Sequence, residues 1–431
     1  MQAYCHQAKV TDPKSPIHIR DFRMLWLARF SSTLATSGMV VILGYQLYDV
    51  ARSQYGMSIP AASFQLGILG LVQFLPLFLL TPIAGLVADR YDRRLIGALS
   101  LGIDLIIVLV LALLTSRNAV TLPQLYLLAA CHGTARVFVS PALSAILPNI
   151  VPAPLMPRAI AIGSIAWQAA SVGGPALAGL LFAARHDLPY WLAFGLLLIA
   201  CLSAFAITKQ PSNAANRDVH PFKQVREGFA FVRNDHFLLG CITLDLFAVL
   251  LGGATALLPV YARDILHVGS EGLGIMRAAP SLGAAVIAIG LTWRPIAHNV
   301  GAKMLLSVAA YGAATIGFGL STSFVLSLVF LIILGAADMV SVFVRSSLVQ
   351  LNTPDEMRGR VSSISGLAIS ASNELGEMQS GLFASLLGAI GAVVFGGVAA
   401  ILITATWAKI FPELRNARTF APNYRQKEQK P

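Results

Sequence analysis

Twelve apolar runs, each close to the length that crosses a bilayer, leave this chain few folds to choose from. They lie near residues 24–48, 62–87, 95–115, 122–148, 158–184, 188–208, 236–262, 272–294, 302–322, 324–350, 361–387 and 389–411. A helix of ~20 apolar residues rises ~30 Å, the thickness of the hydrocarbon core. Lipid offers the backbone no hydrogen bonds, so each run is predicted to be an α-helix. Several exceed the minimum span, which allows tilt or an emerging end. Composition agrees, with 56% hydrophobic and 12% charged residues among 431 and a mean hydropathy of +0.72. Soluble domains sit near ~45–50% apolar and ~25% charged. The expectation is an all-α integral membrane protein in contact with a lipid bilayer.

The net charge of +11 is not gathered on one face, as a nucleic-acid partner would require. Lys9, Lys14, Arg20, Arg23, the loop after the second run, the 209–235 connection and Lys427 and Lys430 fall on one side. The other side holds little beyond Arg52, Arg117, Arg185 and Arg263. The positive-inside tendency therefore places both termini in the cytoplasm, which an even helix count permits. Cysteines 5, 131, 201 and 241 show no paired spacing, so no disulfide framework or metal site is expected. Residues 1–20 are polar and no cleavable signal peptide is visible.

The 209–235 segment, KQPSNAANRDVHPFKQVREGFAFVRND, is the long polar interruption. It divides the chain into a tail (1–23), a six-helix bundle (24–208), the linker (209–235), a second six-helix bundle (236–411) and a tail (412–431). Residues 220–232 fit either a short amphipathic helix on the cytoplasmic surface or a tether. ARVFVSPAL (135–143) echoes VSVFVRSSL (340–348) at the same place in the two halves. Such a duplication places a substrate site at the bundle interface near the midplane.

GLVADRYDRR (85–94) concentrates charge between the second and third runs. Arg90, Arg93 and Arg94 satisfy orientation by themselves. Gly85 and Asp89, four residues apart on one helix face, are not explained that way. The stretch resembles motif A of the major facilitator superfamily, although Asp92 stands where many members carry Gly. The resemblance extends to LPVYARDILHVGSEGLGIMRAAPSLGA (258–284), HPFKQVREGFAFV (220–232), LGAADMVSVFVRSSLVQLNTPDEMRGRVSS (334–363) and SNELGEMQSGLFASLLG (372–388). These look like the branch that includes the bacterial enterobactin exporter and related drug:proton antiporters. The resemblance implies twelve helices in two six-helix bundles. It also implies that Gly85, Asp89, Arg90, Arg93 and Arg94 latch a conformation, with Asp89 binding the start of helix 11. That start is expected at Thr353 as N-cap and Pro354 at the first helical position. The matching loop of the second half, RPIAHNVGAK (294–303), keeps no Asp-Arg pair, so a latch would be asymmetric.

SVGGPALAG (171–179) resembles the antiporter motif C through Gly173, Gly174, Pro175 and Gly179. Close helix packing is the alternative account of these small residues.

Ionisable groups at membrane depth cost at least ~2.5–3.5 kcal/mol each on insertion scales, so each needs a reason. The candidates for proton coupling or substrate contact are Arg29, Asp104, Arg136, Asp245, Asp338, Arg345, Glu374 and Glu377. Arg136 lies where motif B carries a coupling arginine, and a structural ion pair fits it equally. Asp338 and Arg345, seven apart, share a face and are expected to meet partners on other helices. Glu374 and Glu377 share a face and suit a proton carrier, unless water or backbone groups satisfy them. His132 reads as a satisfied polar group and Asp49 as a residue of the outer mouth.

No nucleophile-base cluster, repeated filter or phosphate-binding loop is apparent, which sets aside enzyme, channel and ATP-driven pump. The expected function is export of a small amphipathic molecule, siderophore or drug-like, in exchange for protons by alternating access. Uptake or flipping of a metabolite or lipid-like substrate is the alternative. The expected partners are substrate and protons, the proton gradient supplies the energy without cofactor or metal, and the chain acts as a monomer in the bacterial inner membrane.

Overall fold

The computed structural model describes residues 15–209 and 221–420, and these contain helices and no strand. The first half holds α1 (Arg20–Ser53), α2 (Ile59–Arg90), α3 (Arg93–Ser116), α4 (Leu122–Ser144), α5 (Met156–Ala184) and α6 (Leu188–Phe205). The second half opens with α7 (His236–Leu251), which continues through short turns to Ile265. It is followed by α8 (Gly269–Trp293), α9 (Val300–Leu320) and α10 (Phe324–Leu351). Arg358–Ile410 then runs unbroken in hydrogen bonding, but Gly388 turns out of helical geometry at φ 75° and ψ 166°. That left-handed backbone suits a residue without Cβ. It separates α11 (358–387) from α12 (389–410), where the sequence places the break.

Ten of the helices among the described residues are long and apolar enough to span a membrane, counting α11 and α12 as one. The segment left out is α4, whose interior carries His132 and Arg136. It is a full 23-residue helix packed between α2 and α3. With it, and with α11 and α12 separated, the twelve expected helices are all present.

Residues 221–234 form a helix, so the connection is not a bare tether. Glu227 pairs with Arg360 at 3.2 Å, and a Cβ on Gly228 would lie 3.0 Å from the Arg360 carbonyl, which docks this linker helix on the start of α11.

The described ends gather at the linker end of the bundle. Thr208 donates to Asp21 at 3.2 Å, and the rings of His236 and Phe411 lie 4.6 Å apart.

At the opposite end the halves interlock through small residues. A Cβ on Gly67 of α2 would lie 2.8 Å from the Met378 carbonyl and 3.1 Å from Gly381 Cα of α11. A Cβ on Gly274 of α8 would lie 2.7 Å from the Pro175 carbonyl of α5. Lipid gives apolar side chains no reason to prefer one another, so close backbone approach at such residues supplies much of the packing energy.

The same end carries a charged clasp. The Tyr48 hydroxyl donates to Asp264 at 2.6 Å, and Arg52 reaches the same carboxylate at 3.3 Å. Arg263 pairs with Asp49 at 3.1 Å and lies over the Tyr48 ring. Asp49 thus sits at the end remote from the linker, on the α1 side of a contact between halves.

Candidate functional site

A cavity of about 630 Å³ lies between the halves, with walls from α1 to α5 on one side and α7 to α11 on the other. It is bounded by Ser32, Thr36 and Ser37 of α1 and by a concentration of charge.

One ion pair in it crosses between halves. Arg136 of α4 donates to Glu374 of α11 at 2.9 Å. The guanidinium side chain is 54% exposed and the carboxylate 10%, so the arginine faces the open cavity while the acid is backed by protein. One turn along α11, Glu377 faces Arg277 of α8 at 4.0 Å. Gly70 of α2 makes room for this turn, since a Cβ there would lie 2.9 Å from the Glu377 Cβ. The two glutamates do share a face, and each has its own arginine.

Arg277 is absent from the sequence-derived candidates. The rule that singled out Arg136 applies equally to an arginine amid GIMRAAP, so the signal was available in the sequence.

The break in α7 at Gly252 and Gly253 is a second feature the sequence reading passed over. The carbonyls it frees are met by side chains from three other helices. Tyr311 of α9 donates to Gly252, Ser380 of α11 to Gly253, and Arg277 to Thr255, at 3.1, 2.9 and 3.2 Å. Irregular backbone at membrane depth is tolerated where it lines a cavity and finds such donors.

Asp338 of α10 lines the cavity near Tyr311. Asp104 and His132 also line it, bonded to each other at 2.8 Å and both buried. His132 is therefore satisfied, and the acid that satisfies it is the one on α3.

Arg345 and Asp245 are outside the cavity, forming a buried ion pair between α10 and α7. The shared face of Asp338 and Arg345 does not give them a shared site. Two turns of helix separate them by ~10 Å along the axis, enough to leave one at the cavity and the other in the packed part of the second half. Arg29 lies in a different pocket, between α1 and α5.

The model of the Major Facilitator Superfamily matches residues 25–377. The chain belongs to that superfamily. Among curated relatives, "Enterobactin exporter EntS" of Escherichia coli O1:K1 is 28% identical over 413 residues, covering 93% of this chain and 94% of that protein. Among solved structures, a bacterial homologue of the human lysosomal transporter Spinster superposes with a TM-score of 0.69 at 15% identity, covering 92% of this chain and 97% of the other. A D-xylose–proton symporter gives 0.67 at 14% identity, covering 91% and 98%. The structural likenesses speak for the fold. This is a multi-pass membrane transporter of the superfamily and not an enzyme.

The superfamily motifs can be placed in the structure. Of motif A, the side chains of Gly85, Asp89 and Arg90 lie outside the described residues. Asp92, Arg93 and Arg94 make contacts within the first half. Asp92 caps the start of α3 by accepting from the Arg94 N–H at 3.0 Å, which accounts for an acid where Gly is common. Arg93 donates to the Ala145 carbonyl at 3.2 Å, and Arg94 to Ile207 at 3.0 Å, tying α3 to the ends of α4 and α6. Basic side chains on such terminal carbonyls also suit the helix dipole.

The expected start of helix 11 requires correction. Thr353 is not an N-cap: its hydroxyl turns back to the Val349 carbonyl at 2.6 Å, completing the end of α10. Pro354 opens a turn, accepting from the N–H groups of Met357 and Arg358, and α11 begins at Arg358 with Met357 as N-cap. A buried threonine beside a fresh helix end finds its nearest acceptor four residues behind it, and that competes with capping ahead.

Motif C packs between two neighbours. A Cβ on Gly174 would lie 2.6 Å from the Leu34 carbonyl of α1, and one on Gly173 3.5 Å from the Leu34 side chain. A Cβ on Gly179 would run into Ser270 and lie 3.0 Å from Gly274 Cα of α8, in the other half. Pro175 lines the central cavity.

Proposed function

We propose that this transporter exports a small amphipathic molecule, siderophore or drug-like, in exchange for protons. Transport proceeds by alternating access in the bacterial inner membrane, with both termini cytoplasmic and no cofactor beyond the proton gradient. The observation that carries the reading is the Arg136–Glu374 pair, which joins the halves inside the cavity. For access to alternate, the halves must part at one end and close at the other, and a bond between them opposes that. Protonating Glu374 removes one charge of the pair and weakens the bond. A hydrogen-bond donor of the substrate competes with the proton for the Glu374 carboxylate and breaks the same pair. Proton and substrate then act on one contact in turn, which is what exchange requires.

Glu377 and Arg277 repeat the arrangement one turn away and offer a second proton position. Export rather than uptake is supported by the relatives named as exporters and by the packing of the motif C helix against both α1 and α8. The clasp of Tyr48, Arg52 and Asp264 holds the far end shut in this conformation. With the linker end in the cytoplasm, this is a state that takes up substrate from inside.

The test is transport in proteoliposomes under an imposed pH gradient, screened with siderophores and drug-like compounds. The parent protein should move substrate against its gradient with stoichiometric proton counterflow. Glu374→Gln and Glu377→Gln should each lose the gradient-driven component. Full proton-driven transport by both variants would overturn carboxylate coupling. Accumulation of substrate in cells expressing the parent, rather than depletion, would reverse the direction.

A further inference from the structure

A second pocket, of about 340 Å³, lies in the first half between α1 and α5, toward their linker ends. Its wall combines Arg29 with Phe22, Trp26 and Phe30 of α1 and Trp167 of α5. We propose that this pocket binds an amphipathic anion, its acidic group on Arg29 and its flat apolar body against Trp26, Phe30 and Trp167.

The first argument is charge. Arg136 and Arg277 lie within 4.0 Å of Glu374 and Glu377, and Arg345 lies against Asp245. Arg29 has no carboxylate partner among the described residues. It stands nine residues into a helix of 34, about 14 Å along its axis. At that depth an arginine reaches the boundary between headgroups and hydrocarbon, where an unpaired cation draws an anion.

The second argument is a hydrogen-bond donor. The indole N–H of Trp26 is buried and has no acceptor among the described residues. A buried donor left unmet is unusual, and this one belongs to a side chain on the wall of the same pocket, one turn from Arg29. Trp26 also stacks on Phe30 at 5.1 Å, while Trp167 is 56% exposed, so a planar ligand has an aromatic surface to lie on.

The third argument is position. Thr33 lines this pocket and the central cavity alike, making the two neighbours across one side chain. A ligand held at Arg29 is one step from Arg136. The route from pocket to cavity rests on the export reading, whereas binding at Arg29 does not.

An aromatic acid in solution and an anionic lipid headgroup share this chemistry, and one experiment separates them. The full chain in phosphatidylcholine nanodiscs is titrated with anilinonaphthalene sulfonate, following energy transfer from tryptophan, with uncharged phenylnaphthylamine as the comparison. Arg29→Gln should weaken the sulfonate about tenfold, the loss expected for one hydrogen bond to a charged group, and leave the uncharged dye unchanged. Arg29→Lys should retain most of the affinity, and Trp167→Ala should weaken both dyes. In phosphatidylglycerol nanodiscs, loss of sulfonate binding by the parent identifies the lipid headgroup as the occupant, and undiminished binding identifies a soluble anion. Equal sulfonate affinity in the parent and Arg29→Gln overturns the site, as does an equal fall for both dyes in that variant. The readout is dye binding and not proton-driven transport, so failure of proton coupling leaves this result standing.

Discussion

Two arginine–carboxylate pairs at membrane depth, Arg136–Glu374 and Asp245–Arg345, look alike in the sequence and differ in the fold. The first joins the halves and faces an open cavity, with the arginine side chain 54% exposed. The second lies within the second half, with side chains 5% and 9% exposed. A buried pair is held by the lack of any alternative partner, because breaking it strands a charge in low dielectric. A pair beside a cavity has water and ligand as competitors, so it exchanges at modest cost. Two sites of the same chemistry thus suit opposite tasks, one fixing a bundle and the other reporting on what enters it.

The sharpest way to break this contrast is to remove one acid from each. Asp245→Ala should destabilise the second half by about 3–5 kcal/mol, leaving Arg345 stranded. It should appear as a large drop in thermal midpoint in detergent, and Asp245→Arg with Arg345→Asp should recover part of it. If Asp245→Ala melts with the parent, the pair is not structural.

Glu374→Gln should do the reverse. The amide still accepts from Arg136, and the arginine is half in water, so stability should change by no more than about 1 kcal/mol. Melting curves of the two variants, run together, decide whether the difference between the pairs is real.

Gly174→Leu sharpens the comparison from a third direction, since it touches neither pair. Its side chain meets the Leu34 backbone, so α5 must shift from α1. Overpacking of this kind costs about 1–3 kcal/mol. Transport should fall while insertion survives, read as wild-type yield in the membrane with impaired efflux. Normal efflux would show that the motif C helix tolerates displacement.

A small effect is also expected at the clasp. Asp264→Asn removes the charge that Arg52 and Tyr48 share. The loss should be about 1 kcal/mol, roughly five-fold in the balance of open and closed states. Cysteine labelling at the end remote from the linker should rise accordingly, and unchanged labelling would assign that closure to the glycine contacts and the Arg263–Asp49 pair.

Helix positions were legible because they follow from local composition. Even the break at Gly388 shows in the pattern of two apolar runs meeting at one glycine. α4 was legible from its place in the series, although His132 and Arg136 dilute its apolarity. The start of α11 was misplaced because Thr353 and Pro354 form a good capping pair locally, and only the end of α10 competes for the hydroxyl. Asp104 was legible only as a lone acid, and its bond to His132 depends on α3 packing against α4. Arg277 was missed despite an adequate signal.

The sequence by itself determined membrane residence, twelve helices and the residue types at membrane depth, since each depends on burial in lipid over short stretches. Which charges face one another was decided by the tertiary structure alone. Asp338 and Arg345 share a helix face yet are separated by the level at which α7 closes on α10, and Glu374 meets an arginine 238 residues away. Helix periodicity fixes a direction around one axis. Partners are set by how twelve axes are packed, and that information belongs to no single segment.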